Sequence, residues 1–581
     1  MSIITVTDDG DSGAGTLRQA IADAVDGDTI DFDESIILIT LTSDELLLDQ
    51  PITLTISGPI SGPADLIITR DSGASPFRIF HITAGLITFS NLTISNGNAT
   101  DGGGVYADAT TIFDTCIITG NTALQGGGLL AHGAVTLIDC IINNNTLVDQ
   151  AEAPDPRGAG IYVTNGTTID IITSIISENS ITSTGHNAAG AGIYNNSSLT
   201  ITDSTIDNNS IVAVDNTGFG AGILNADYLT LQNCTISNNT IEDDESGNGG
   251  GGGICNYAEI SQLFIRTCTI SSNTISEKGG GILNLNGVIE ITNTTITNNT
   301  TSLPGTIGGG IHNTEIGIYI DNTIVALNGD FDIVNTEAPE NIANLVGYNL
   351  FITDRISGFT PNITDVIVDA DDFEIGPLAD NGGPTYTHRL FTGNPAINAG
   401  DNTGASEFDQ RGFTRIIATT IDIGAYEYDP ATEPSPYVVF PVSISYNLIH
   451  EIRLNNFINT FGDGYEHRVN NNDAFGDRSN GLGGQSTYKG TNAFKINLTN
   501  MIHTNESLTA RANIFWKFYQ DRLGGFEPFY FYNPIEASSI DLTGVSTTGR
   551  YLVRFEDHSL SREAFTTRLY NAGIGLVEVR E

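Results

Sequence analysis

A sequence unit of about thirty residues recurs between residues 102 and 330, and it constrains the fold more than any other feature. Each unit contains a glycine cluster, an apolar pair, two strand-like segments around a short turn, and an asparagine, as in GAGILNADYLTLQNCTISNN (220–239). The last glycine of successive clusters recurs every 24 to 32 residues, at positions 104, 128, 160, 192, 222, 253, 281 and 310. This period is typical of one coil of a β-solenoid.

Apolar and polar residues alternate within the strand-like segments, which predicts the side chains that face the interior. In LTITDSTI, we expect Leu199, Ile201 and Ile206 to lie in the core. Crossovers between parallel strands are right-handed by default. The sequence therefore predicts an all-β fold, a right-handed single-stranded parallel β-helix, whose eight units would stack to roughly 40 Å at about 4.8 Å per coil.

Four of the five cysteines occupy one repeat position, two residues before an isoleucine: Cys116, Cys140, Cys234 and Cys268. Other units hold serine or threonine there, so we interpret the position as an inward-facing ladder of buried free thiols. The predicted cytosolic origin disfavours disulfides. The sequence contains no CxxC pair of the kind that binds zinc, so we predict no metal or cofactor. Calcium binding by acidic side chains is an alternative for which the sequence offers no motif.

Asparagines recur at the end of the second strand-like segment of each unit, at Asn121, Asn145, Asn179, Asn209, Asn239, Asn273, Asn299 and Asn328. Asparagine tolerates left-handed backbone geometry and bonds its own backbone, so we expect these residues to form a repeated turn. A role for them as sugar ligands is a less favoured alternative.

Residues 16–25, TLRQAIADAV, predict a helix that caps the start of the β-helix. Thr16 and Gln19 form a capping-box pattern. One helical face is apolar, with Leu17, Ala20, Ile21, Ala24 and Val25. GDTIDF follows as the first predicted strand, and the combination resembles the N-terminal cap of bacterial right-handed β-helix proteins.

Four ordered sequence blocks follow the repeats: IGPLADNGGPTYTHRL (375–390), GNPAINAGD (393–401), FDQRGFTR (408–415) and IDIGAYE (421–427). They resemble the terminal segment of the β-helix proteins called choice-of-anchor Q. This resemblance implies a terminal β-helix segment, which is usually followed by a sorting or anchoring element. We expect its glycines and prolines to bend the chain across the last coil and an Asp409–Arg411 ion pair to close it.

The composition changes after DPATEPSPY (429–437), a proline-rich acidic linker, and aromatic residues concentrate around Trp516, the only tryptophan. We therefore predict a cap with first coils in residues 1–100 and regular repeats in residues 101–330. Terminal coils with the choice-of-anchor-like segment should occupy residues 331–428. A separate α+β domain, mostly β, should follow in residues 438–581.

The order of segments in residues 438–581 resembles the minor tail and distal tail hub proteins of long-tailed phages. The first matching element comprises Phe461, Gly462, Asp463, Gly464, Tyr465, Glu466 and Arg468, and the second comprises Gly524, Gly525, Pro528, Phe529 and Pro534. His467 departs from the usual glutamine. The resemblance implies a homo-oligomeric ring, such as a trimer or hexamer, that contacts other tail or baseplate proteins.

The formal net charge of -46 is concentrated in the repeats, because residues 1–430 hold 10 Lys plus Arg against 53 Asp plus Glu. Such a rod lacks the cations that displace counterions from phosphates, which argues against a nucleic-acid partner. Neither a secretory signal nor an apolar run long enough to span a bilayer is evident. We expect synthesis in the host cytoplasm, no membrane insertion and a place in a virion tail.

We favour a non-enzymatic role: a structural component of a phage or phage-like tail, whose projecting β-helix contacts host surface glycan. A polysaccharide-degrading enzyme is the alternative, and Glu178, Asp203 and Asp207 on adjacent coils are then the candidate carboxylates for a hydrolase. Lyase chemistry needs a base, and the repeats offer only Arg157, Arg266 and Lys278, far apart in sequence. A bacterial surface adhesin is the third hypothesis.

Overall fold

The computed structural model describes residues 2–149, 154–243, 249–302, 307–314, 317–336 and 344–431, together with the backbone of seven strands between residues 452 and 578. The chain divides into two compact units, Met1–Tyr428 and Asp429–Glu581. The first unit is a right-handed parallel β-helix, which confirms the fold predicted from the repeat.

Each regular coil contributes one strand to each of three long parallel sheets, which follow one another along the chain in the order C, A and B. The coils in the middle of the β-helix contribute a further strand to a fourth sheet, D. Sheet A comprises Ile3–Val6, Asp28–Phe32, Thr53–Ser57, Leu86–Ser90, Thr110–Asp114, Val135–Ile138, Thr168–Ile172, Ser198–Thr202, Tyr228–Gln232, Gln262–Arg266, Val288–Thr292, Gly317–Asp321 and Asn344–Gly347. Sheet B comprises Leu38–Leu41, Ile67–Arg70, Thr93–Ser95, Ile117–Thr119, Ile141–Asn143, Ile175–Ser177, Thr205–Asp207, Thr235–Ser237, Thr269–Ser271, Thr295–Thr297, Ile324–Ala326, Leu350–Ile352 and Val366–Val368.

The other two long sheets are also parallel. Sheet C comprises Leu46–Leu48, Phe80–Ile82, Val105–Ala107, Leu129–Ala131, Ile161–Val163, Ile193–Asn195, Ile223–Asn225, Ile254–Asn256, Ile282–Asn284, Gly308–Asn313, Phe331–Asn335 and Ile356–Ser357. Sheet D comprises Thr122–Ala123, Thr146–Val148, Ser180–Thr184, Ser210–Val214, Thr240–Asp243, Thr274–Ile275 and Thr300–Thr301. A short strand pair joins Ala188–Ala189 to Gly218–Phe219.

The core follows directly from the alternation in the sequence. Leu199, Ile201 and Ile206 are fully buried, as predicted. Equivalent residues of successive coils stack in register, for example Leu199 on Leu229. One continuous apolar core runs from Val6 to Phe351, and the 13 strands of sheet A stack over about 58 Å at the usual strand spacing.

The structure corrects the turn assigned to the recurring asparagines. Residues such as Asn209 are fully buried and point into the coil rather than forming the turn. Asn209 accepts bonds from Asn179 N and Nδ2 at 3.1 and 3.0 Å, and its own N and Nδ2 donate to Asn239 Oδ1. The left-handed conformation belongs instead to the preceding residue, such as Asn208 with φ 54°. Their burial also removes the asparagines as sugar ligands.

The hydrogen-bonded column of buried asparagine side chains, here called the asparagine ladder, also explains the repeated glycine. A Cβ atom on Gly128 would lie 2.7 Å from the Gly160 carbonyl oxygen and 2.9 Å from Asn145 Nδ2. Both distances are too short for a carbon atom, so a side chain at this position would displace the asparagine ladder. The ladder ends at Asp332, whose carboxylate accepts from Asn328 N at 2.7 Å and has no amide with which to continue.

The N-terminal cap is a helix, α1, that spans Leu17–Asp23. Thr16 caps it, accepting from Gln19 N at 3.4 Å. Leu17, Ala20 and Ile21 are buried, whereas Val25 is 61% exposed, because the helix ends before it. The predicted apolar face is therefore correct except at Val25. Two 3-10 turns, Pro63–Asp65 and Ala370–Asp372, are the other described helical segments.

Residues 375–428, here called the strap, lie along the outside of sheet B. An antiparallel pair, Ile375–Ala379 and Thr387–Leu390, begins the strap. Thr235 Oγ1 donates to Tyr386 O at 2.6 Å and Thr269 Oγ1 donates to Gln410 Oε1 at 2.7 Å. The predicted contact with the last coils is present, because Leu390 and Ile423 of the strap pack with Leu350 on one of the last strands of sheet B. The strap also extends back along sheet B as far as Thr235, which the prediction did not include.

The second unit is described only by strands of one sheet: Ile452–Arg453, Glu466–Asn471, Ala474–Arg478, Thr491–Ile496, Phe529–Tyr532, Arg550–Phe555 and Ile574–Glu578. Glu466, Arg468 and Phe529 of the tail-hub-like elements lie on these strands. The remaining members lie outside the described residues: Phe461, Gly462, Asp463, Gly464, Tyr465, Gly524, Gly525, Pro528 and Pro534.

Candidate functional site

The outward side of sheet C carries a row of aromatic side chains, here called the aromatic face. Its residues are His81, Tyr106, Tyr162 and Tyr194 on the strands, with His132, Phe219 and Tyr257 beside them. The strand register aligns His81 with Tyr106, and Tyr162 with Tyr194. Strand alternation turns all four outward, because their neighbours on both sides, such as Ile161 and Val163, are buried in the core.

The rings contact one another along the rod. His81 and Tyr106 have centroids 5.2 Å apart, and Tyr162 and Tyr194 have centroids 5.1 Å apart, both in edge-to-face geometry. Phe219 and Tyr257 extend the row at 5.5 Å. Such contacts hold each ring in one orientation, which preorganises an extended surface for a ligand.

Two guanidinium groups lie over this row. Arg78 is 4.8 Å from the Tyr106 centroid, and Arg157 is 5.0 Å from the Tyr194 centroid. Arg78 Nε also lies 3.3 Å from Glu45 Oε2, and Arg157 Nη2 lies 3.6 Å from Asp155 Oδ2. Each arginine is thereby held in a fixed position by a ring and a carboxylate.

His81 lies between two carboxylates. Its Nδ1 is 2.8 Å from Glu45 Oε1, and its Nε2 is 3.7 Å from Asp108 Oδ2. A histidine bonded through Nδ1 to a carboxylate is oriented with Nε2 directed away, which is the arrangement that a general base requires. Glu45 is therefore shared between Arg78 and His81.

A cleft of about 570 Å³ opens beside Arg78, lined by Glu45, Phe77, Arg78, Asn98, Thr100 and Leu124. A second cleft of about 400 Å³ lies beneath α1, where Arg18, Leu47 and Gln50 contribute. Both clefts contact Asp44 and Glu45. Their volumes fall within the range of small-ligand sites, so each could accommodate part of a chain that continues onto the aromatic face.

Two tyrosines of the face, Tyr106 and Tyr194, remain protonated phenols at neutral pH. Burial, with smaller contributions from Asp108 and Asp101, raises the pKa of Tyr106. Burial likewise raises the pKa of Tyr194. Tyr106 therefore offers one hydroxyl donor and an apolar ring, the combination that binds the hydroxyls and the C–H face of a sugar. Tyr194 is only 7% exposed and supports the neighbouring ring of Tyr162.

The carboxylates predicted for a hydrolase are only partly brought together. Glu178 N donates to Asp207 O at 3.2 Å, so these two residues are neighbours on adjacent coils. Asp203 lies at the other end of the strand Thr205–Asp207, about 13 Å away along the backbone. Glu178 and Asp203 have φ values of 56° and 51°, so both occupy the left-handed turns that join strands.

The other residues singled out from sequence lie elsewhere. Cys116, Cys140, Cys234 and Cys268 are buried with free thiols in one ladder, in which Cys234 N donates to Cys268 Sγ at 3.3 Å. Burial raises the pKa of the Cys116 and Cys234 thiols. Arg266 pairs with Glu290 at 2.9 Å on sheet A, away from Arg157 on the aromatic face.

The sequence analysis missed Arg78, His81 and the tyrosines of the aromatic face. Each strand tyrosine stands two residues after the last glycine of its cluster, as in Gly104-Val105-Tyr106 and Gly160-Ile161-Tyr162. We grouped these positions as apolar pairs. Period-two alternation applied to the pair would have placed the second residue outside.

In the part of the chain that the structure describes, no group of three or more His, Cys, Asp or Glu side chains is arranged to hold a metal ion. The described helices include none that is both long and apolar enough to cross a membrane.

Residues 67–224 match the family model of the right handed beta helix region. Among solved structures, the chain is similar to pectate lyase Pel9A at 14% identity and a TM-score of 0.40, covering 74% of this chain and 97% of that one. It is also similar to the PL6 family alginate lyase AlyGC at 13% identity and a TM-score of 0.31, covering 75% of this chain and 60% of that one. No curated protein matches.

These similarities concern the fold and support no argument about chemistry. The family match covers neither the strap nor the second unit. The choice-of-anchor and tail-hub resemblances of those segments therefore stay predictions.

Proposed function

We propose that the β-helix is a binding rod for a neutral, extended surface glycan, which lies along the aromatic face. The observation that carries the proposal is a row of oriented rings in three contact groups, His81–Tyr106–His132, Tyr162–Tyr194 and Phe219–Tyr257, with Arg78 and Arg157 fixed over it. The row crosses seven strands of sheet C, or roughly 29 Å, which suits a polymer better than a monosaccharide.

The charge around the face favours a neutral glycan over an anionic one. Glu45, Asp101, Asp108 and Asp155 lie near the rings, against two arginines that are already paired with carboxylates. A rod of this acidity repels polyanions at long range. Neutral hydroxyl-rich units can instead pair with both the carboxylates and the arginine N–H groups.

The test is binding of the full chain to an array of neutral and uronate-containing oligosaccharides. We expect retention on neutral members, weakened at least tenfold by Tyr162→Ala. Tyr228→Ala is the matched control, because Tyr228 is an outward tyrosine, 39% exposed on sheet A, whose ring lies 5.3 Å from that of Phe264. Equal losses in both variants, or no retention at all, would refute the proposal.

We further propose, from the sequence resemblance of residues 438–581, that the second unit anchors this rod in a phage-like tail as a homo-oligomeric ring. Light scattering of the purified full chain tests this part separately. A trimer or hexamer is expected, and a strictly monomeric chain at micromolar concentration would contradict it.

A second candidate function is polysaccharide cleavage, favoured by the oriented His81 with Glu45 on Nδ1. In that case His81 would accept a proton from the bound sugar, and Arg78 would stabilise the developing negative charge. Release of reducing ends or of unsaturated uronates, lost in His81→Ala but not in His186→Ala, would favour this reading, because His186 is bonded to Asp149 beside sheet D and lies outside the aromatic face. Intact glycan after prolonged incubation would exclude it.

A further inference from the structure

The strap contains a cluster of buried charged side chains at its contact with sheet B. Asp409, Arg411 and Arg415 come from one segment, and Asp422 and Glu427 come from the next. Each of the five is at most 7% exposed. Two uncharged polar residues lie beside the cluster: Thr295 of sheet B accepts from Ala425 N at 3.0 Å, and Asn398 N of the strap donates to Asp422 at 2.7 Å.

The first carboxylate is fully paired. Asp409 Oδ2 accepts from Arg411 Nη2 at 2.7 Å and from Arg411 Nε at 2.9 Å. The Arg411 guanidinium also lies 3.5 Å from the Tyr426 ring centroid and donates to Glu427 O at 2.7 Å. This pair confirms the Asp409–Arg411 contact expected from the sequence, and it directs Nε and Nη2 of Arg411 to Asp409.

The remaining cation does not neutralise the remaining anions. Arg415 donates through Nη2 to the carbonyls of Asp422 and Gly424, while its Nε and Nη1 have no hydrogen-bond partner. Asp422 accepts from Asn398 N at 2.7 Å and from Tyr428 N at 2.6 Å. Glu427 accepts from Asp422 N at 2.9 Å. Two carboxyl groups therefore share one guanidinium in a buried site.

We propose that closing the strap onto sheet B takes up one proton, held on Glu427, so that the strap is a proton-dependent clasp over the outer face of sheet B. Three carboxylates and two guanidiniums would leave an uncompensated negative charge in the buried cluster, and protonating one carboxyl removes it. The inference is independent of the glycan site, which lies on sheet C.

The direction of the pH dependence follows from the pKa values. Burial, with the neighbouring Asp422, raises the pKa of Glu427 from its ordinary 4.5 to about 8. Burial raises the pKa of Asp422 to about 6. Because the closed form holds the proton more tightly than the open form, closure is most favoured at low pH. It weakens as pH rises toward 8, and it levels off above that value.

His388 is a further titratable side chain of the strap that faces sheet B. His388 Nδ1 lies 2.6 Å from Gly376 O and Nε2 lies 2.8 Å from Ser271 Oγ, and burial lowers its pKa to about 4. Its titration weakens closure as pH falls from about 6.5 to 4, because the open form binds the proton more tightly. Between pH 6 and pH 8 Glu427 should therefore dominate the response of the strap, because the smaller effects of His388 and Asp422 have opposite directions over this range.

Hydrogen exchange of the full chain, measured by mass spectrometry on peptides from residues 405–428, tests the clasp. After correction for the intrinsic exchange rate, the titration of Glu427 should raise strap opening roughly 50-fold between pH 6 and pH 8, with the steeper part below pH 7. Peptides from residues 223–240 in the same protein should show no such rise, and the change should reverse on return to pH 6.

Glu427→Gln is the decisive variant, since glutamine can still accept from Asp422 N but cannot ionise. Its strap opening should change less than threefold over the same range, while the control Glu290→Gln on sheet A should follow the wild type. A flat wild-type profile, or a Glu427→Gln profile parallel to the wild type, would overturn the proposal. The wild-type profile alone decides it if Glu427→Gln does not fold.

Discussion

Replacing Asn209 with alanine should destabilise the β-helix far more than the loss of a few side-chain atoms would suggest. The substitution removes the bonds of Asn209 Nδ2 to Ile176 O and Asn239 Oδ1, at 3.0 and 2.9 Å, and the two bonds that Asn209 Oδ1 accepts from Asn179. The buried Asn179 N–H then has no acceptor. Leaving one buried group unsatisfied and weakening two others costs about 3 kcal/mol.

Urea unfolding of the full chain, followed by far-UV circular dichroism, measures this cost. Asn209→Ala should lower the midpoint with little change in slope, because the exposed surface on unfolding is nearly the same. Thr200→Ala, on the outward side of sheet A, is the control and should change the free energy of unfolding by less than about 0.5 kcal/mol. If Asn209→Ala costs less than about 1 kcal/mol, the ladder is not the stabilising element inferred here.

Three further results are expected. Cys140→Ser should lower the free energy of unfolding by less than about 1 kcal/mol in the urea assay, because Ser174 occupies the equivalent position in the next coil. A thiol reagent should label the cysteines only after the chain unfolds, since all five are buried. Arg411→Ala should destabilise the strap by about 3–5 kcal/mol in the same assay, because Asp409 would remain buried and unpaired. Burial raises the pKa of Asp332 to about 7. Its stabilising contribution should therefore fall by about 4 kcal/mol between pH 4 and pH 7, and Asp332→Asn should abolish that slope in urea melts at several pH values.

The sequence predicts the coils well because period-two alternation and the thirty-residue repeat both report on the core. Leu199 and Ile206 face inward for the same reason in every coil. The role of Asn209 was harder to predict, because asparagine suits both a left-handed turn and a stacked amide ladder. Only the structure distinguishes the two, by placing Asn208 in the turn and Asn209 inside.

The strap and the candidate site depend on contacts between residues distant in sequence. Gln410 bonds to Thr269, and Glu45 bonds to His81, through pairs for which the local pattern carries no signal. By contrast, the Asp409–Arg411 pair lies within three residues and was predictable. The aromatic face could have been predicted from the sequence, because Tyr106 and Tyr162 share one repeat position.

The most direct test of the account is calorimetric titration of the full chain with a neutral oligosaccharide retained on the array, compared between Tyr106→Ala and Phe264→Ala. Tyr106 contacts His81 edge-to-face and lies beneath the Arg78 guanidinium on sheet C, whereas Phe264 packs on Tyr228 on the outer side of sheet A. We predict that affinity falls at least tenfold in Tyr106→Ala and stays within twofold of the wild type in Phe264→Ala. Unchanged affinity in Tyr106→Ala would contradict the claim that sheet C is the binding surface.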